Sequence, residues 1–359
     1  MKTNTWKELA KIVNVSYNYI KDIRKGRHLI RLDVLRKICD VAKVKLDDVE
    51  KNIIKVGSGG SIIHNFTLPI TITKELAGLV AHGFGDGHID KKYTFHYCNS
   101  DEVLQERVVS FILKTFNLHS FYVRFSSYNV PVRCYPFIVG YVLNILGVPK
   151  GNKTLQEFLV PSWLIHTNKA CKRIFLRELF SDEGAVHKDT KNKRRRSISI
   201  AFSRKVEYMN SLKLFLEILR RMLLEFNIKS REVTEQKRYK DKEGREKLVL
   251  GFDITGFRNL SLFKKEIGFS SPSKNADLDF ILGSFQMNPA NFTRRLILEN
   301  LQKTTKPKTT KEITEEIGKA YSTTKKYIRS LYKEGKVTLC YKLNRKNYWT
   351  INDGKQKNM

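Results

Sequence analysis

Two short acidic segments carry the chemistry that this sequence can support. Asp86 stands in Gly85-Asp86-Gly87 and Glu183 in Asp182-Glu183-Gly184, each closing an apolar stretch of helical periodicity. The glycine after each acid is expected to let the chain leave its helix at positive φ. A lysine then follows each acid at long range, 67 residues on in the first case (86 to 153) and 91 in the second (183 to 274). Two such helices packed side by side would bring Asp86 and Glu183 together at one end. Close carboxylates repel unless a cation neutralises them, so a divalent metal is implied. Mg²⁺ suits a site of few, hard oxygen donors, because it keeps waters and takes phosphate oxygens as further ligands. Such a site polarises a phosphodiester, activates a water and stabilises the leaving oxygen. Lys153 and Lys274 would stabilise charge on the phosphate or tune the attacking water.

The elements that must position these groups recur in order. After each acid comes an alternating strand, Tyr93-Thr94-Phe95-His96-Tyr97 and Ser197-Ile198-Ser199-Ile200-Ala201-Phe202. An apolar helix then runs to Phe116-Asn117-Leu118 or to Phe226-Asn227-Ile228, and Gly147 or Gly268 precedes the lysine by six residues. The pattern is an internal repeat. The charged stretch Arg231 to Lys247 would account for much of the longer second half as a long hairpin or loop.

Composition sets the partner class. The chain has 359 residues, and 67 Lys and Arg against 36 Asp and Glu give a net charge of +31. A surface this cationic concentrates polyanions, and nucleic acid is the expected partner class, which the resemblance below narrows to double-stranded DNA. No apolar run is long enough to span a bilayer, and Met1 to Glu8 lacks the features of a signal peptide. The five cysteines are scattered and never form a CxxC pair, which points to a reducing, cytoplasmic setting and away from a zinc cluster.

The segment Glu75 to Ile89, ELAGLVAHGFGDGHI, resembles the first signature helix of the LAGLIDADG homing endonucleases, and Phe175 to Val186, FLRELFSDEGAV, resembles the second. The apparent LAGL beginning at Leu76 misleads, since a signature started there puts Gly83 at the acid position. Alignment on Gly85-Asp86-Gly87 is similar to the archaeal and intein-associated members. ILGVPKGNK, ending at Lys153, and IGFSSPSK, ending at Lys274, fall where that subfamily carries catalytic lysines. The resemblance implies an α+β fold of two αββαββα repeats (68–165 and 166–288), whose antiparallel sheets form a saddle over the DNA major groove. It makes Asp86 and Glu183 the metal ligands and Lys153 and Lys274 the active-site lysines of a pseudo-symmetric monomer. One departure stands out. The offset of 97 residues between the acids (86 to 183) places Glu178 where Ala81 sits, and a carboxylate there is expected to loosen the helix packing.

His82 and His88 read as packing or polar neighbours of the acid, not as metal ligands. The run Lys191 to Arg196, with Lys193, Arg194, Arg195 and Arg196 at its centre, is expected to contact phosphate, as is Arg204 on the following strand. With Met1 in place of a nucleophile and Lys357-Asn358-Met359 at the other end, the chain does not read as an intein but as a free-standing protein.

The flanks read as separate DNA-binding domains. Residues 1–56 resemble a repressor-type helix-turn-helix, with Ser16 as N-cap of a second helix that presents Tyr17, Asn18, Lys21 and Arg24. A helical protein–protein module is the alternative. Gly57-Ser58-Gly59-Gly60-Ser61 marks a flexible linker over 57–67. Residues 289–359 order three helices before a hairpin, which resembles a winged helix. Thr323, Thr324, Lys325, Lys326 and Arg329 would face DNA, with Arg345 and Lys346 at the wing tip. The expected function is a site-specific, Mg²⁺-dependent DNA endonuclease of the homing type. The rival is a transcriptional regulator whose LAGLIDADG domain only binds DNA.

Overall fold

The computed structural model describes residues 5–58, 61–65, 69–119, 121–188, 196–285 and 291–352. Four short helices come first: α1 (Trp6–Ile12), α2 (Tyr17–Arg24), α3 (Leu32–Ala42) and α4 (Leu46–Glu50). Thr5 and Glu8 close a capping box on α1, and Ser16 Oγ accepts the Tyr19 N–H at 3.1 Å to start α2. Leu9, Ala10, Val13, Ile20 and Val34 form their shared core. Part of the segment expected as a flexible linker is instead paired, β1 (Lys55–Ser58) with β2 (Ser61–His64), while residues 59, 60, 66 and 67 lie outside the described residues. Ile63 is buried and Asn117 Nδ2 donates to the His64 carbonyl at 3.1 Å, so the hairpin is pinned to the next domain.

That domain contains the repeat. The first half is α5 (Lys74–Phe84), β3 (Gly87–Ile89), β4 (Phe95–Cys98), α6 (Glu102–Phe116), β5 (Tyr122–Phe125), β6 (Pro131–Tyr135) and α7 (Phe137–Ile145). After the short α8 (Ser162–His166), the second half is α9 (Lys169–Glu183), β7 (Gly184–Lys188), β8 (Arg196–Lys205), α10 (Met209–Leu224), β9 (Thr234–Lys240), β10 (Glu246–Thr255) and α11 (Phe257–Glu266), with α12 (Pro272–Gly283) closing it. Both sheets are antiparallel with the same strand order, β3-β4-β6-β5 and β7-β8-β10-β9. Backbone singularities recur too: Asn117 and Asn227 take positive φ after α6 and α10, as Gly147 and Gly268 do before the lysines. The charged stretch 231–247 becomes the long β9–β10 hairpin.

Helices α5 and α9 form the seam. Thr73 caps α5 by accepting the Leu76 N–H at 3.2 Å, and Asn168 caps α9 by accepting the Cys171 N–H at 3.0 Å. Each cap contributes about 1 kcal/mol. Every residue from Leu76 to Phe84 is buried, so α5 is packed on all sides. Phe84 packs against Phe175 and Phe215 of the other half and against Phe158, which ties the repeats together. The glycines after the acids serve crowding, not handedness. Gly184 has φ −77° and Gly87 is outside the positive-φ set, but a Cβ would come 2.5 Å from the His82 carbonyl at Gly87 and 2.5 Å from the Phe180 carbonyl at Gly184.

Residues 285–359 form a second compact unit. Its elements are α13 (Phe292–Gln302), β11 (Lys308–Thr309), α14 (Thr310–Ile317), α15 (Tyr321–Lys333), β12 (Val337–Leu343) and β13 (Lys346–Ile351), with sheet order β11-β13-β12. Ile297, Leu301, Ile313, Ile328, Leu331, Val337 and Trp349 make its core. Asn344 and Arg345, both at positive φ, form the tight turn between β12 and β13.

Candidate active site and DNA-facing residues

At the C-terminal ends of α5 and α9 the chain gathers three carboxylates and two lysines. Helix α5 ends at Phe84, and Asp86 follows one residue beyond its cap; Glu183 is the last residue of α9. Burial, and then the Asp182 carboxylate, push the Asp86 carboxyl up to about 6, against the pull of Lys153 and Lys274. Burial also pushes Glu183 up to about 7; Lys153 opposes it, while Asp86 and Asp182 add to it. Asn99 Nδ2 donates to Asp86 Oδ2 at 2.8 Å. An open cleft of about 440 Å³ adjoins Asp86, lined also by Asn99, Asp101, Asp182, Ser271 and Lys274.

The lysines are placed alike in the two halves. Lys153 Nζ donates to the Phe84 carbonyl at 2.9 Å and also to that of Gly85, while Lys274 Nζ donates to the Ser181 carbonyl at 2.5 Å and the Asp182 carbonyl at 3.2 Å. Each ammonium thus caps the carbonyl end of its own half's helix, where the helix dipole favours a cation. Burial lowers both lysines, and the surrounding carboxylates resist that shift.

Sequence reasoning missed the polar network beneath these groups. His82 Nδ1 lies 3.0 Å from Asp182 Oδ2, Tyr97 OH donates to Asp182 Oδ1 at 2.8 Å, and the Asp86 N–H donates to Asp182 Oδ2 at 3.2 Å. Glu178, fully buried, receives Arg107 Nε at 2.6 Å and Ser270 Oγ at 3.0 Å, with His82 Nε2 at 3.5 Å. The carboxylate at the Ala81-equivalent position is therefore neutralised inside the seam, and the helices pack around it. One sequence signal pointed here: at the 97-residue offset Asp182 stands opposite Gly85, and a Cβ on Gly85 would come 2.5 Å from Asp182 Oδ2. Among the described residues, no three His, Cys, Asp or Glu side chains converge as a metal cluster. The oxygen-only donors Asp86 and Glu183 fit a hard divalent ion that completes its shell with water and phosphate.

The candidate DNA contacts divide. Tyr17, Asn18, Lys21 and Arg24 are exposed on α2, with Arg24 stacked on Trp6 at 4.2 Å from the ring centroid. Lys325, Lys326, Arg329, Arg345 and Lys346 are exposed and Thr323 is half-buried. Two expectations fail. Thr324 is 0% exposed, because it lies on the α15 face that carries Ile328 and Leu331 into the core. Arg204 is 1% exposed: it shares the strand face of Ile198, Ile200 and Phe202, which points away from the opposite, Ser199–Ser203 face. Its guanidinium lies 3.4 Å from the Phe158 ring centroid and donates to Ser211 Oγ at 3.1 Å, and burial lowers it to about 10. Arg196 sits on β8, paired with Lys188; Lys193, Arg194 and Arg195 lie outside the described residues.

Two αββαββα repeats meeting along acid-ended helices define a pseudo-twofold core of the LAGLIDADG type. Residues 170–268 match the LAGLIDADG-like domain family and residues 2–49 match the helix-turn-helix family. The second half of the repeat thus carries a LAGLIDADG-like domain, and the N-terminal helices a helix-turn-helix. It is 33% identical over 139 residues to the A-type subunit of DNA gyrase from Mycobacterium gordonae, covering 39% of this chain and 21% of that protein. It is 24% identical over 168 residues to the tRNA-splicing ligase RtcB of Pyrococcus abyssi, covering 43% and 18%. Over 94 residues it is 37% identical to the replication factor C small subunit of Methanocaldococcus jannaschii, covering 25% and 5%. The chain thus spans about a fifth or less of these curated relatives. Solved structures of the homing endonuclease I-DmoI match at 14% identity and a TM-score of 0.36 for its mesophilic variants, covering 54% of this chain and 95% of that one. For I-DmoI in complex with DNA and Mn the values are 16% and 0.35, covering 54% and 96%. No helix among the described residues is long and apolar enough to cross a membrane.

Proposed function

We propose that the protein is a site-specific, divalent-metal-dependent endonuclease for double-stranded DNA, of the homing type, acting as a pseudo-symmetric monomer. The observation that carries this reading is the meeting of Asp86, Glu183, Lys153 and Lys274 at one end of the α5–α9 seam. A bound Mg²⁺ would polarise the phosphodiester and lower the pKa of an attacking water. Asp86 and Glu183 would hold it, and their raised carboxyls are those that such an ion would neutralise. Lys153 and Lys274 fix the carbonyl ends from which the acids project and add positive charge beside the scissile phosphate. The helix-turn-helix, and the C-terminal unit read as a winged helix, would lengthen the footprint through phosphate and base contacts.

The exposed α2 face also supports a second reading, a transcriptional regulator that binds DNA without cutting it. Cleavage of a selected target with Mg²⁺, with Mn²⁺ and with chelator separates the two. Asp86→Asn and Glu183→Gln should each slow double-strand cutting by about 10³-fold or more while DNA affinity holds or tightens. Lys153→Met and Lys274→Met should slow it less, because water partly replaces an ammonium. Undiminished cutting by either acid variant would remove these residues from the site.

A further inference from the structure

We infer that Asp182 is a positioning residue: held by Tyr97 and His82, it fixes the main chain at Asp86 and thereby aims the Asp86 carboxylate. This rests on the nuclease reading of the site. The two acids leave their helices differently. Glu183 is still within α9, whereas Asp86 lies past the end of α5, where its N–H has no helical acceptor. That N–H donates across the seam to Asp182 Oδ2 at 3.2 Å.

Asp182 is itself immobilised. Its side chain is fully buried, Oδ2 also meets His82 Nδ1 at 3.0 Å, and Oδ1 receives Tyr97 OH at 2.8 Å. Three donors on one buried carboxylate take about three of its four acceptor positions, both of those on Oδ2, which suits an anchor better than a metal ligand. Asn99 extends the same scaffold: its Nδ2 lies 3.4 Å from Tyr97 OH and 2.8 Å from Asp86 Oδ2. Main chain and carboxylate of Asp86 are therefore both set by groups that trace to Tyr97 and Asp182. The device is one-sided, since the position equivalent to Asp182 in the first half is Gly85, which can offer no acceptor side chain.

The test compares wild type, Asp182→Ala, Asp182→Asn and Tyr97→Phe in the full chain. Asn keeps a carbonyl for the Asp86 N–H but removes the charge; Ala removes both. Asp182→Ala should lower kcat by about 10²-fold at unchanged KM, with one DNA strand slowed more than the other so that nicked product accumulates. Asp182→Asn should recover most of that rate, and Tyr97→Phe should show a smaller loss with the same strand bias. An Asn variant as slow as Ala, or equal slowing of both strands, overturns the inference. Amide hydrogen exchange at Asp86 needs no cleavage: it should be slow in wild type and Asp182→Asn and faster by about tenfold or more in Asp182→Ala. Equal exchange in all of them overturns the inference whatever the nuclease assay gives. The expected exchange difference between wild type and Asp182→Ala, found in a protein that cuts no DNA with either metal, overturns the nuclease reading alone.

Discussion

His82 of α5 bridges two carboxylates of α9, Asp182 at 3.0 Å from Nδ1 and Glu178 at 3.5 Å from Nε2. Burial disfavours the imidazolium, but Asp182 and then Glu178 outweigh it and its pKa is raised. The seam between the repeats is therefore ionic at its centre, where a tight helix pair ordinarily places small residues.

Glu178 depends on Arg107 more than on any other partner. Arg107→Ala would leave a fully buried carboxylate with Ser270 and His82 as its partners among the described residues. Urea unfolding should show a loss of about 3 kcal/mol, in the range found when one partner of a buried pair is removed. Replacing both, as Glu178→Leu with Arg107→Met, should recover much of it. A single Arg107→Ala variant as stable as wild type would mean that Glu178 is protonated or hydrated instead.

Protons should oppose metal at this site. With Asp86 at about 6 and Glu183 at about 7, the native chain holds more protons than the unfolded chain through the window that runs up from ordinary carboxyl values, near 4. Metal-free stability therefore falls as pH rises through that window, and the raised His82 works in the same direction, favouring the fold until it loses its proton. The metal-free protein should melt lower at about pH 8 than at about pH 5, and Mg²⁺ should restore part of the difference at the higher pH. Cutting at limiting Mg²⁺ should rise over the same range, its limb moving to lower pH as Mg²⁺ increases. A melting temperature that climbs steadily with pH would contradict this arrangement.

Exposure should decide which basic and polar residues bind DNA. Lys21→Ala, Arg24→Ala and Lys325→Ala should each weaken binding and lower the salt slope by about 0.9 for every phosphate no longer neutralised. Thr324→Ala and Arg204→Met should leave that slope unchanged and lower the melting temperature, since Thr324 lies in the α15 core face and Arg204 stacks on Phe158. A reduced slope for Arg204→Met would place its guanidinium at the DNA after all.

Much of the fold was legible because local pattern and repeat order agree. An apolar helix closing on acid-Gly occurs twice, and both halves fold in the same strand order. The C-terminal unit folds in the order read from the sequence, three helices before a hairpin. What escaped depended on which faces meet. The bonds of Asp182 to His82 and Tyr97 span 100 and 85 residues, and no local spacing reveals them. Arg204 was misplaced because charge was weighed above strand parity, although Ile198, Ile200 and Phe202 already marked its face as internal. Gly-Ser composition suggested a loose linker, but Val56 and Ile63 are paired across the hairpin and Ile63 is buried.

If α2 and the central site both hold DNA, as proposed, that hairpin would set their register along the double helix. Only four residues separate the end of α4 from the start of β1, and beyond them the chain is pinned through Ile63 and His64. A short, anchored tether cannot swing its reading head around the duplex to follow a displaced subsite. Inserting about five base pairs, half a helical turn, between the α2 contacts and the central site would carry the two onto opposite sides of the DNA. Inserting a full turn would restore their rotational phase but stretch the tether. On the proposed function, the spacing between subsites would be part of what the protein recognises, independent of the bases in between.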